Sequence, residues 1–71
     1  MRKRALVTGG AGQDGWYLIA LLVGRGYQVF AQSRHAATDQ HGGDVTWCIG
    51  NLSDEAFLTD LLASAAPDEI Y

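Results

Sequence analysis

Short apolar runs alternate along the chain with segments whose apolar residues recur every three or four positions, an alternation of strand-like and helix-like patterns. Ala5-Leu6-Val7-Thr8 is apolar, carries β-branched residues and is broken at once by Gly9 and Gly10, so it fits a strand buried on both faces. From Gln13 or Asp14 to about Arg25, the spacing of Leu18, Leu21, Leu22 and Arg25 predicts a helix. Gly26 is its expected C-terminal cap, because glycine takes the left-handed conformation without a Cβ clash. Tyr27 to Gln32 is again extended, aromatic and β-branched, and predicts a second strand ending near Ser33.

His35 to Asp44 has no sustained period and includes Gly42-Gly43, which reads as a surface connection with room for one helical turn. Val45 to Ile49 predicts a third strand, stopped by Gly50. Ser53 is placed to cap a second helix whose first turn carries Asp54 and Glu55, negative charges where the helix dipole is positive. Phe57, Leu58, Leu61, Leu62 and Ala65 would form its apolar stripe, Pro67 would end it, and Asp68 to Tyr71 opens a fourth strand. The order β-α-β-loop-β-α-β is that of an α/β fold, a doubly wound parallel sheet with crossover helices. Residues 1–71 are therefore expected to be the N-terminal fragment of one such domain, with its remainder and any substrate domain absent, and to be marginally stable alone because so short a chain buries little surface.

Composition narrows the function. Apolar types at 48% and charged types at 18% suit a packed domain and not a disordered tail. A net charge of -3 gives no general attraction for nucleic acid. The lone Cys48 offers no internal disulfide. Arg2-Lys3-Arg4 precedes too short an apolar run for an export signal, and nothing approaches a membrane span, so a cytoplasmic location is expected. The basic triplet reads as a solvated strand end, and the glycosylation triplet at Asn51 as chance.

Gly9, Gly12 and Gly15 stand three apart between the first strand and the first helix. In that position they can serve a tight turn alone, or also expose backbone N–H groups at a helix N-terminus to a diphosphate. On the second reading Gly9 makes the turn, Gly12 admits the diphosphate, and Gly15 lets the helix pack closely, with Gly10 and Ala11 keeping the loop small. A Walker loop is excluded, because Trp16 and not Lys follows Gly15. The tip of the second strand has no acidic residue for the ribose hydroxyls of NAD; Ser33 and Arg34 there suit the 2′-phosphate of NADP. Asn51 and Leu52 end the third strand, where they could meet an adenine or simply cap and pack. His35, His41 and Cys48 lack metal-ligand spacing, and Trp16 and Tyr17 read as packing residues.

Thr8-Gly9-Gly10-Ala11-Gly12-Gln13-Asp14-Gly15 resembles the extended short-chain dehydrogenase/reductases, a Rossmann-type family, and Gln13-Asp14 with Pro67-Asp68-Glu69-Ile70-Tyr71 is similar to the GDP-mannose 4,6-dehydratases within it. Tyr17-Leu18 and Gly26-Tyr27-Gln28-Val29 match as well. The resemblance implies that Gly9, Gly10, Ala11, Gly12, Gln13, Asp14 and Gly15 surround the pyrophosphate, and that Arg34 meets the 2′-phosphate. It further implies conversion of GDP-mannose to GDP-4-keto-6-deoxymannose and water, one hydride being held and returned by NADP, in a parent that could be a homo-oligomer. Two departures are His35 where relatives often have a second Arg, and Asn51 where an Asp is usual. The Tyr, Lys, Ser or Thr and Glu of that chemistry lie past the fourth strand in the family, so the segment is expected to hold no catalytic residue. Two alternatives stand beside this: a related sugar-nucleotide epimerase or reductase, and a noncatalytic protein binding a dinucleotide or a partner chain.

Overall fold

In a computed structural model describing residues 2–35 and 45–71, the elements are β1 (Arg4–Val7), α1 (Gln13–Gly24), β2 (Gln28–Ser33), β3 (Val45–Ile49), α2 (Glu55–Ala65) and β4 (Glu69–Ile70). The connection expected over His35–Asp44 lies, from residue 36 onward, outside the described residues. All pairings are parallel and the strand order is β3-β2-β1-β4, with Leu6 opposite Phe30 on one side and Ile70 on the other. The doubly wound parallel sheet is thus the observed fold. Order reverses at β1, the position where such sheets leave a crevice beyond their carboxyl ends.

Alternation along the central strands supplies two cores. Ala5, Val7, Val29, Ala31 and Val45 face α1 and enclose Ile19 and Leu22. Leu6 and Phe30 face the other way and meet Leu61 and Ala65 of α2. A strand covered on both faces must be apolar at every position, which is why Ala5-Leu6-Val7 does not alternate. The helix faces differ from the expected ones. Leu21 is 53% exposed while Ile19 is sealed, and Leu62 is 39% exposed beside the buried Leu61. Both helices offer more apolar residues than one face can cover, so spacing leaves the buried face open. Trp16 and Tyr17 are also largely exposed, in edge-to-face contact with ring centres 5.3 Å apart.

The helix ends show how local chemistry sets the boundaries. Gly26 takes φ +85°, its N–H donates to the Val23 carbonyl, and the Tyr27 N–H reaches back to Leu22. This is a Schellman cap, and it draws Tyr27 out of the second strand. The Arg2 guanidinium donates to the carbonyls of Gly26 and Tyr27, so this residue of the basic triplet fastens a helix end and is not merely solvated. At the start of α2 the cap is Asp54 and not Ser53: its carboxylate accepts the N–H groups of Ala56 and Phe57 at 3.0 and 3.2 Å. Ser53 is held by its neighbour, since both its N–H and its hydroxyl donate to Asn51 Oδ1. Replacing Asp54 by alanine is expected to cost about 1 kcal/mol, read as a lower denaturant midpoint, whereas Ser53→Ala should cost less; the reverse ranking would restore Ser53 as the cap.

At the sheet's far edge, Glu69 of β4 accepts hydroxyl bonds from Tyr71 and Tyr27 and lies 3.6 Å from Lys3 Nζ. The Tyr71 hydroxyl above all, with Tyr27 and Lys3 adding to it, holds its carboxyl below the usual carboxylate range.

Candidate functional site

The carboxyl ends of β1, β2 and β3 open on a cleft of about 420 Å³. Its lining comes from three turns: Thr8, Gly9, Ala11 and Gly12 after β1; Gln32, Ser33, Arg34 and His35 at the end of β2; and Asn51 with Leu52 after β3. This volume lies within the range of small-molecule sites.

The glycines of the first turn divide the work differently from the simple expectation. Gly9 has φ +65°, a conformation L side chains rarely adopt, so the turn itself requires it. Gly10 is buried, and a Cβ there would come within 3.0 Å of Ala31 Cβ and 3.1 Å of Ile19, so it serves the fit of helix to sheet and lies outside the cleft lining. At Gly15 a Cβ would stand 2.8 Å from both Gly10 Cα and the Gly9 carbonyl oxygen; its close approach is to the turn and not to the sheet. Gly12 is unlike the others. It has an ordinary extended conformation, φ -75° and ψ 167°, and a Cβ would touch only the Gly9 oxygen at 3.5 Å. Nothing in the protein needs glycine there, yet it borders the cleft.

Hydrogen bonding then separates occupied amides from available ones. The Gly9 N–H donates to Gln32 Oε1, Gly10 to the Gln32 carbonyl and Gly12 to the Gly9 carbonyl. Those three glycine amides are engaged within the protein. Gln13, Asp14 and Gly15 are the first helical positions of α1, whose N–H groups have no acceptor four residues back inside the helix. The N-cap is Gly12, which has no side chain to satisfy them. The donors that this corner offers are therefore the first amides of the helix, with the glycines shaping access to them. The side chains of Gln13 and Asp14 are exposed and do not line the cleft.

Arg34 is exposed at the tip of β2, beside the buried Ser33, whose hydroxyl accepts the His35 N–H at 3.2 Å. On the opposite wall, Asn51 Oδ1 is engaged with Ser53, leaving the carboxamide its donor end as distinctive chemistry. Leu52 packs partly against the α2 core and partly lines the cleft. The structure thus gathers Gly9, Ala11, Gly12, Arg34, Asn51 and Leu52 around one opening. Two lining residues were not singled out by sequence: Thr8, whose hydroxyl donates to the Tyr71 carbonyl, and Gln32. A glutamine directly after the apolar run Val29-Phe30-Ala31 was the available signal for the second. Among the described residues no three His, Cys, Asp or Glu side chains gather as metal ligands would; His41 lies outside them. No described helix is long and apolar enough to cross a membrane.

A parallel α/β sheet with a glycine turn, an uncapped first helix and a cleft at the switch in strand order defines a Rossmann-type protein of the short-chain dehydrogenase/reductase kind. The family model described as GDP-mannose 4,6 dehydratase matches residues 6–71, and the chain belongs to that family. A GDP-mannose 4,6-dehydratase of Vibrio cholerae is 36% identical over all of this chain and 23% of its own length. A second, from V. cholerae serotype O1, is 39% identical over 99% of this chain and 22% of its own. In structure, the Bordetella bronchiseptica enzyme WbmH, solved in complex with NAD+, superposes with a TM-score of 0.83 at 26% identity, covering 99% of this chain and 25% of that one. The chain spans about a quarter of the length of these relatives.

Proposed function

We propose that this chain is the NADP-binding part of a GDP-mannose 4,6-dehydratase, with the dinucleotide's diphosphate at the start of α1, its 2′-phosphate at Arg34 and its adenine between Asn51 and Leu52. The observation that carries the reading is the Gly12 N-cap: a helix start without a side-chain cap, bordering a cleft that also presents a guanidinium. Gly10 and Gly15 would contribute by packing, and Gln13 and Asp14 through their amides. NADP, when bound, would supply a hydride acceptor and donor for the sugar. The residues of this chain would hold and orient it, while proton transfers at the sugar would fall to groups outside this segment. Relatives named for GDP-mannose support a sugar-nucleotide substrate for the whole protein.

NADP is favoured over NAD by the absence of an acidic side chain at the tip of β2, where Ser33, Arg34 and His35 stand instead. Titration of the full-length protein with both cofactors tests this. NADP should bind more tightly, and Arg34→Ala should weaken NADP about 10- to 100-fold by removing one charge-assisted contact while moving NAD less than about twofold. Equal affinities in the unaltered protein would remove the role of Arg34. Product analysis with GDP-mannose should give a 4-keto-6-deoxy sugar; an epimer or a reduced sugar would reject the dehydratase assignment.

A further inference from the structure

Gln32 sits at the carboxyl end of β2 with 3% of its surface exposed. Its carboxamide oxygen accepts the Gly9 N–H at 2.9 Å, and its Nε2 donates to the Gly50 carbonyl at 2.7 Å. Gly9 opens the glycine turn; Gly50 ends β3 and leads into Asn51. The two walls of the cleft therefore meet on one buried side chain, reinforced by the Gly10 N–H bonded to the Gln32 carbonyl. A buried carboxamide left unmatched is costly, so neither turn can shift without breaking a bond that the interior does not replace.

We propose that Gln32 is a positioning residue for the cleft: by bridging the two turns it fixes their separation, and so tunes affinity for a ligand that spans both, with a diphosphate on one wall and an adenosine on the other. The inference rests on the dinucleotide reading above and adds the element that sets the fit.

The test compares the unaltered full-length protein with Gln32→Met and Gln32→Glu, measuring dissociation constants for NADP and for inorganic pyrophosphate, which reaches only one wall. Gln32→Met removes both bonds and is expected to weaken NADP about tenfold, the scale of one lost hydrogen bond, with pyrophosphate changed less than about twofold. Gln32→Glu keeps the bond to Gly9 but sets a carboxylate against the Gly50 carbonyl. Its NADP deficit relative to the unaltered protein should be large at high pH and should close in acid, where the neutral carboxyl donates again; burial brings that recovery into reach by raising the carboxyl's pKa. Taking the ratio at each pH cancels every pH effect common to the two proteins and to the ligand. A purely structural role would lower the melting temperature, leave these affinities unchanged and give no acid rescue, and it would overturn the inference. Equal weakening of NADP and pyrophosphate would overturn it too. If Gln32→Met does not fold, the acid rescue of Gln32→Glu decides. Failure of the unaltered protein to bind NADP would remove the dinucleotide reading itself, and this inference with it.

Discussion

Gly12→Ser is expected to fold at least as well as the unaltered protein and to bind dinucleotide about 10- to 100-fold more weakly, the scale of a steric conflict of about 1–3 kcal/mol. The backbone at residue 12 is extended and a Cβ meets only one atom at 3.5 Å, so the fold accepts a side chain. Serine is also a better N-cap than glycine by a few tenths of a kcal/mol, and its hydroxyl would accept the helix amides that the proposed site offers to a diphosphate. Stability and affinity should therefore move in opposite directions, a pattern that damage to the fold cannot produce. Gly15→Ala provides the contrast. Its Cβ would lie 2.8 Å from two backbone atoms of the turn, so stability and binding should fall together. Thermal melts paired with NADP titrations check both, and an unchanged dissociation constant in Gly12→Ser would rule out a diphosphate at this corner.

Leu6→Ala is the second large effect, a loss of about 2–5 kcal/mol as the transfer and cavity terms combine. Leu6 is 1% exposed in the central strand, packed with Phe30, Leu61 and Ala65. Chains of this size have roughly 4–11 kcal/mol in total, so the substitution removes a large share of the stability or all of it. Leu62→Ala, one residue beyond Leu61 in the same sequence stripe, should cost about 1 kcal/mol, because Leu62 is 39% exposed where Leu6 is 1% exposed. Denaturant midpoints for the two would expose an error if they fell together.

These contrasts mark what was readable beforehand. Element type and order followed from apolar period, strand ends from Gly9 and Gly50, and the end of the first helix from Gly26, because each rests on local backbone chemistry. Gly50 shows the limit: a Cβ there would come within 2.4 Å of the Phe57 ring, a long-range reason that no neighbouring residue discloses. The cap at Asp54 was misread as Ser53 because two adjacent residues can both cap, and the choice depends on Asn51 turning its carboxamide toward the serine. Ile19 and Leu21 lie on opposite sides of the helix, and its apolar residues leave open which side is covered; only the position of the sheet buries one and exposes the other.

Within the cleft the division is similar. Sequence alone determined a parallel α/β chain with a glycine turn between strand and helix and a cation at the second strand's tip, since these depend on short-range conformational preference and side-chain chemistry. Which amides are engaged within the protein, that Gln32 joins a turn 23 residues before it to one 18 residues after it, and which glycines packing requires were decided only by the tertiary structure. The reason is geometric: a hydrogen-bond partner or a clash is set by where distant backbone passes, and parallel strands bring together segments that the chain holds far apart.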